Sequence, residues 1–327
     1  MLDMPAVGHT GQAILDDIAT LPPDPPMLIT DLMYEESAWM LASDPGLGKS
    51  AIGLQIAMAL SCGSKLFNAF QCTRAGPVYY LLLEGSYRRM ITRLRSMSAT
   101  LPYDADNLFI DVVEGMNLLK QDHADYLTDR IEEWKHPIAI IFDSMYMALP
   151  GGLGKDETAA VFAQASTRLL RHFRCCNIFL HHTTKEQYAN GKPSGSDDRF
   201  YGSQFIKAHV NVSYMLTQED KKNRCKPLMT LKKDNEDCVR RSIQLEYHPE
   251  DITCSLIDEP PLEGDGLARV IQFIQLCKKE GRTTTFREVC QVCCLSAPRV
   301  RQIQSIHLST YVNFIKTLGA ATLWVPK

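Results

Sequence analysis

The loop Ser43-Asp44-Pro45-Gly46-Leu47-Gly48-Lys49-Ser50 gathers in a few positions the groups needed to hold a chain of phosphates. Gly46 and Gly48 let backbone N–H groups turn inward around phosphate oxygens with no Cβ in the way. Lys49 offers a full positive charge to the terminal phosphates, and the Ser50 hydroxyl is suited to ligate Mg2+. The apolar run Trp39-Met40-Leu41-Ala42 precedes the loop and reads as a buried strand. A helical pattern begins near Lys49, and its positive end faces the same anion. This strand–loop–helix context is what the pattern G-x-x-x-x-G-K-[ST] requires, although G-x-G-K-S alone also arises in helix-capping loops. Ser43 stands where the pattern has its first glycine, a place that a small residue with negative φ can fill. The predicted nucleotide-binding set is Ser43, Asp44, Pro45, Gly46, Leu47, Gly48, Lys49, Ser50 and Ala51, with ATP as the nucleotide.

Hydrolysis needs a further group to orient or deprotonate water, and two acids follow apolar strands where open α/β sheets place their ligands. Glu84 ends Val78-Tyr79-Tyr80-Leu81-Leu82-Leu83 and is expected to be the general base. A carboxylate there must face a polar cleft, because burying it unpaired is costly. Asp143 ends Ile138-Ala139-Ile140-Ile141-Phe142 and is expected to hold Mg2+ together with Ser50, with Ser144 assisting. The bland alternative for each acid is a cap for the next helix. His182, after Ile178-Phe179-Leu180-His181, is placed to donate to the terminal phosphate and to lose that partner after hydrolysis. The bland alternative is a core histidine satisfied by backbone.

The elements that must position these groups alternate. Strands are predicted at Ala38–Ala42, Val78–Leu83, Leu108–Val113, Ile138–Phe142, Asn177–Leu180, Val210–Leu216 and Leu228–Leu231. Helical patterns at Lys49–Leu60, Arg88–Met97, His123–Trp134 and Thr158–His172 lie between several of them. Strand–helix alternation with uninterrupted apolar runs implies a mostly parallel sheet with helices on both faces. Residues 1–26 read as an N-terminal arm closed by Pro22-Pro23-Asp24-Pro25-Pro26, 27–256 as the α/β domain, and 257–266 as an acidic, proline-bearing linker. Residues 267–327 form a further module in which helix, helix, the turn Leu295-Ser296-Ala297, a helix over Pro298–His307 and a small final strand suggest a winged helix-turn-helix. Arg299 and Arg301 on that third helix are the candidate DNA contacts, and a helical protein-docking domain is the alternative.

The segment VYYLLLEGS (Val78–Ser86), followed by a helix carrying Arg93 and Arg95, resembles the RecA-like ATPases, most closely the RepA-type hexameric plasmid replication helicases. Met27–Ser50 and Ile178–Lys185, with its histidine pair, are similar to the same family, so the likeness runs from Met27 to about Tyr247. The resemblance implies that Glu84 is the catalytic base and that His182 passes the state of the γ-phosphate to DNA-binding loops. It implies that the polar segment Lys185–Tyr201 lines a central channel, with Lys185, Lys192 and Arg199 on single-stranded DNA, although a solvated surface loop explains its composition as well. It further implies a cation reaching the site of a neighbouring subunit. Asn211 stands where the family has that arginine, which leaves Arg199, Lys207, Lys232 and Lys233 as substitutes.

Charge and cysteine usage bound the rest. The chain of 327 residues carries a net charge of −3, which excludes a uniformly basic nucleic-acid coat. From Asp265 onward the balance is +6 and before it −9, so an anionic partner is expected for the last module. The 11 cysteines, paired in apolar runs at Cys175-Cys176 and Cys293-Cys294, behave as small hydrophobes and suit a reducing cytoplasm. Cys277, Cys290, Cys293 and Cys294 lack a second C-x-x-C pair, so zinc is not expected. No apolar run reaches the about 18 residues of a membrane helix. The sequence thus predicts an ATP-hydrolysing motor on DNA using ATP and Mg2+, as a homo-oligomer with the hexamer favoured. A RecA-like repair or regulatory ATPase that does not unwind, and a nucleotide-gated DNA-binding switch, stand as rivals.

Overall fold

Strands that are apolar on both faces need helices on both faces, and the chain supplies them in alternation. The structure, a computed structural model, describes residues 10–12, 26–149, 156–183, 188–189, 192–193, 203–218, 226–235, 239–257, 266–293, 300, 303, 312–315 and 323–326. The α/β portion runs β1 (Met27–Ile29), β2 (Met33–Tyr34), β3 (Ala38–Ser43), α1 (Lys49–Cys62), β4 (Lys65–Leu66), β5 (Phe70–Gln71), β6 (Val78–Leu82), α2 (Tyr87–Met97), β7 (Leu108–Val112), α3 (Gln121–Trp134), β8 (Ala139–Asp143), α4 (Asp156–Phe173), β9 (Cys176–His182), β10 (Tyr188–Ala189), β11 (Lys192–Pro193), α5 (Gln204–His209), β12 (Val212–Gln218), β13 (Pro227–Asp234), β14 (Ser242–His248) and β15 (Thr253–Leu256).

Nine strands make the central sheet, in the order β15-β14-β13-β12-β3-β9-β8-β6-β7. From β12 to β7 every pairing is parallel, whereas β13, β14 and β15 add on antiparallel. The expected mostly parallel sheet is therefore present, and each strand predicted within it is found to within two residues at either end, Leu228–Leu231 excepted, which extends to Asp234. Alternation sorts the core into two layers. Trp39, Leu41, Tyr80, Ile141, Ile178 and Leu180 face α1 and α2; Met40, Tyr79, Phe142 and Phe179 face α3, α4 and α5.

Helix α1 is apolar around its whole circumference and almost entirely buried, as a helix covered on all sides must be. Its one internal amide, Gln55, donates to the Cys254 carbonyl at 2.8 Å and accepts from the Cys254 N–H at 2.9 Å. The antiparallel extension thus closes over the helix that starts at the phosphate loop. On the other layer, Arg130 of α3 donates two hydrogen bonds to the buried Asp111 of β7, which also receives the Tyr79 hydroxyl.

The last module contains α6 (Gly266–Lys279), β16 (Thr284–Thr285), α7 (Phe286–Val292), β17 (Val312–Ile315) and β18 (Leu323–Pro326). Its strands pair in the order β16-β18-β17, and Val270, Phe273, Val289 and Trp324 share a separate apolar core with Cys277 and Cys293. The predicted third helix, with Arg299 and Arg301, lies outside the described residues apart from Val300 and Ile303, both buried in that core. Arg269 of α6 makes a buried ion pair with Asp31, in the turn between β1 and β2, at 2.9 Å. No helix among the described residues is long and apolar enough to cross a membrane.

Candidate nucleotide site

Parallel strands β3, β9, β8 and β6 end at one edge of the sheet, and their last residues gather the candidate groups. Gly46 and Gly48 have φ of 86° and 89°, in the left-handed region that disfavours any side chain. A Cβ at either would meet no atom within 4 Å, so backbone conformation, not crowding, demands glycine. Gly48 caps α1 without a side-chain bond, leaving N–H groups of the first turn for an anion. Ser43 has no positive φ, which is what its occupation of the first glycine position requires.

Lys49 is 6% exposed, and its ammonium group is folded back on the loop. It donates to the Ser43 carbonyl (3.1 Å), the Ser43 hydroxyl (2.8 Å) and the Asp44 carbonyl (3.4 Å). A glycine at position 43 would lack the second of these acceptors. Burial lowers the Lys49 pKa to about 8, against the pull of Asp143, Glu84 and Asp44. Its fourth neighbour is His182 Nδ1 at 3.2 Å. An ammonium has hydrogens to give and no lone pair, so Nδ1 accepts and Nε2 carries the ring proton. That Nε2 lies 3.3 Å from the Glu84 carboxylate. Lysine, histidine and glutamate, far apart in the chain, are thereby linked in a line across the ends of β3, β9 and β6.

Glu84 sits just past β6, with its side chain half in solvent. It accepts from the Ser144 hydroxyl at 2.7 Å, and its backbone N–H, like that of Leu83, donates to the Asp143 carbonyl. Ser144 thus serves the glutamate rather than the metal acid. Asp143, 4% exposed, accepts from Ser50 Oγ at 3.1 Å and from the Tyr80 hydroxyl at 2.7 Å. Burial pushes its carboxyl above the usual range, while those two donors and the Arg93 charge pull it down. Burial beside Asp143 raises the Tyr80 hydroxyl far above its ordinary value, so it stays a donor. The hydroxyl of Ser50 and the carboxylate of Asp143 are hard oxygen ligands within one hydrogen-bond length, a donor set that fits Mg2+.

The two histidines of β9 part company. His182 joins the site, whereas His181 points to the other layer, where burial holds it neutral with a pKa lowered to about 3. Thr183 fastens the end of β9 to the loop, its N–H donating to Ser43 and its hydroxyl to Asp44.

Other candidates lie elsewhere. Because β13 runs antiparallel, its final residues return to the edge away from the phosphate loop: Lys233 is opposite Ser213, which pairs with Met40 near the start of β3. Lys232, Lys233 and Lys207 at the end of α5 therefore occupy that far edge. The Lys233 ammonium is taken by the carbonyls of Lys207 (2.6 Å) and Val210 (2.5 Å), so it caps α5. Asn211 is also there, accepting from the Ala38 N–H. Neither Lys232 nor Lys233 stands beside the phosphate loop of its own chain; the expectation of a lysine after Leu228–Leu231 concerns the site of a neighbouring subunit. Arg199 and Lys185 lie outside the described residues, and Lys192 begins β11, paired with β10. What sequence reasoning missed is Ser144 as the partner of Glu84.

A family model described as an AAA domain matches residues 9–188, more than half of the chain. No curated protein matches the sequence. Among solved structures, one described as an ATPase domain superposes with a TM-score of 0.56 at 12% identity, covering 75% of this chain and 96% of that one. A DnaB-like replicative helicase, described with its interactions with primase, superposes with a TM-score of 0.55 at 13% identity, covering 76% of this chain and 67% of that one. The likeness is one of fold.

Proposed function

Because this chain belongs to the AAA-domain family and has a RecA-like P-loop sheet, we propose that it is an ATP-hydrolysing motor acting on DNA, a ring-forming replicative helicase or helicase-like replication protein. The observation that carries the reading is the line Lys49–His182–Glu84 beside the Ser50–Asp143 pair.

The phosphates of ATP replace the acceptors that Lys49 now uses, and the loop N–H groups close on the same oxygens. With Lys49 turned to phosphate, His182 Nδ1 loses its donor, so occupancy of the loop reaches Glu84 through one imidazole. Glu84, half in solvent, orients and deprotonates the attacking water. Ser50 and Asp143 would hold Mg2+, which neutralises developing charge on the phosphate oxygens. The cation acting from a neighbouring subunit is sought among Arg199, Lys207, Lys232 and Lys233, because a residue that serves a neighbour's site need not lie beside its own phosphate loop. Lys185, Lys192 and Arg199 remain the channel candidates, and Arg299 and Arg301 of a winged helix-turn-helix the duplex contacts. The solved ATPase domain and the DnaB-like helicase lend support to this reading through their fold.

The test is ATP turnover with and without single-stranded DNA. A motor turns over faster on DNA, and Glu84→Gln binds ATP while losing about 10^2–10^4 in rate. Turnover indifferent to DNA would favour the non-unwinding ATPase or the switch, and near-normal turnover in Glu84→Gln would move the base elsewhere.

A further inference from the structure

Two helices near the β7 edge carry opposite charge on opposite faces of the sheet. Helix α2 has Arg88, Arg89, Arg93 and Arg95 and no acid. Helix α3 has Asp122, Asp125, Asp129, Glu132 and Glu133 against Arg130 alone, and Arg130 is committed inward to Asp111. Met90 and Met97 bury α2 in the layer of α1, while Ala124, Leu127 and Ile131 bury α3 in the other layer. Among the described residues, the side chains of Arg88, Arg89 and Arg95 form no ion pair or hydrogen bond, and neither do those of Asp122, Asp129 and Glu133. Asp125 and Glu132 are paired to Arg168 and His172 of α4.

The outward positions match in spacing. Arg88 and Arg95 are seven residues apart, as are Asp122 and Asp129, which is about 10.5 Å along each helix. Large apolar groups stand among the charges: Tyr87 is 57% exposed and Ile91 40% on α2, and Tyr126 is 53% exposed on α3. Tyrosine and arginine are enriched at protein contacts, and Ile91 exposed among them adds apolar area that a second protein surface would bury. One copy alone cannot join surfaces on its two opposite layers, but two copies stacked head to tail can.

We propose that the arginine face of α2 packs on the acidic face of α3 in a second copy of this chain. The contact is heterologous, so its repetition generates a ring if the rotation closes. The proposal rests on the homo-oligomer reading above and assigns the surfaces that build it.

The experiment uses full-length protein with Mg2+ and a non-hydrolysable ATP analogue, with assembly followed by mass photometry. Arg88→Glu with Arg95→Glu puts acids at the paired outward positions of both helices, and Asp122→Arg with Asp129→Arg puts arginines at both. Each double variant alone is expected to lose on the order of 100-fold or more in association, from like charges brought together. An equimolar mixture is expected to reassemble with the two variants alternating, because every junction then pairs opposite charges. The neutral variant Arg88→Gln with Arg95→Gln, and weakening of the wild-type assembly by salt, give the same reading without charge reversal. Undiminished assembly of either double variant, a mixture that stays apart while both variants melt as wild type does, or a wild type that is monomeric would overturn the proposal. So would loss of single-strand binding in the α2 variant with assembly intact, which assigns the arginines to nucleic acid. Binding of a fluorescent ATP analogue, measured on the same samples, separates this failure from failure of the ATPase reading.

Discussion

The two edges of the central sheet both bury charge, yet they do so to different ends. At the phosphate-loop edge, Lys49 and Asp143 are almost fully enclosed, and the contacts that hold Lys49 are carbonyls, a hydroxyl and one imidazole. Among the described residues no carboxylate is bonded directly to it, so an incoming phosphate finds the cation held by neutral groups. At the far edge Asp31 and Arg269 form a direct ion pair with side chains 13% and 7% exposed, Tyr34 donates to Asp234, and Lys233 is spent on carbonyls at the end of α5. Burial of charge therefore does not by itself mark a site. What marks it is a desolvated cation whose present partners are weaker than the ligand that would replace them.

That contrast is broken or sharpened first at Lys49. Lys49→Ala is expected to weaken nucleotide binding by at least about 10^3-fold, since it removes the charge-assisted bonds to phosphate. Titration calorimetry that found ATP binding unchanged would remove the phosphate-loop assignment altogether. The equivalent strike at the far edge is Arg269→Leu, which leaves Asp31 buried without its partner. Breaking a buried pair in this way costs about 3–5 kcal/mol, and denaturant unfolding should register it while nucleotide affinity stays within about twofold. Coupling of that variant to nucleotide binding would mean that the far edge is part of the site after all.

Acid–base linkage separates the edges further. Lys49 in the free protein titrates at about 8, below its ordinary 10.5, because burial disfavours the ammonium form. A bound phosphate restores that form, so binding takes up a proton above pH 8. Affinity for ATP is then expected to fall with rising pH between about 8 and 10.5, by up to about tenfold per pH unit. Stability moves the opposite way in that window, since the unfolded chain binds the proton that the folded one has lost. Affinity flat from pH 7 to 10 would show that Lys49 keeps its proton without a ligand.

Much of the phosphate-loop edge was readable because local order sets it. An apolar run ending in an acid places Glu84 and Asp143 at strand ends, and a strand running into Gly-x-Gly-Lys-Ser places the loop. The far edge was less so. Nothing within Pro227-Leu228-Met229-Thr230-Leu231-Lys232-Lys233-Asp234 says that this strand runs antiparallel to its neighbour, and direction alone decides which edge receives its lysines. Strands β14 and β15 give no clear strand signal in the sequence either, because they are half-exposed and mix polar with apolar residues. Contacts such as Lys49 with His182, 133 residues apart, and Ser144 with Glu84, 60 apart, exist only once strand order is known.

The smallest expected effect tests the contrast most finely, because it compares hydrogen bonds of nearly equal length. Ser144 donates to Glu84 at 2.7 Å, and Tyr34 donates to Asp234 at 2.6 Å. Ser144→Ala frees a carboxylate that already reaches water, so little stability is at stake; what is lost is the angle at which Glu84 meets the attacking water. The expected result is a fall in kcat of about tenfold, in keeping with about 1.5 kcal/mol for a bond to a charged acceptor. KM for ATP should hold, because Ser144 touches no phosphate-binding group, and Ser144→Thr should restore the rate. Tyr34→Phe removes a bond from the far edge, where no reacting group is near, and should lower unfolding stability by about 1 kcal/mol with kcat unchanged. If Ser144→Ala lowered stability and left kcat alone, the hydroxyl would be a structural tie like that of Tyr34, and Glu84 would owe its position to His182 only.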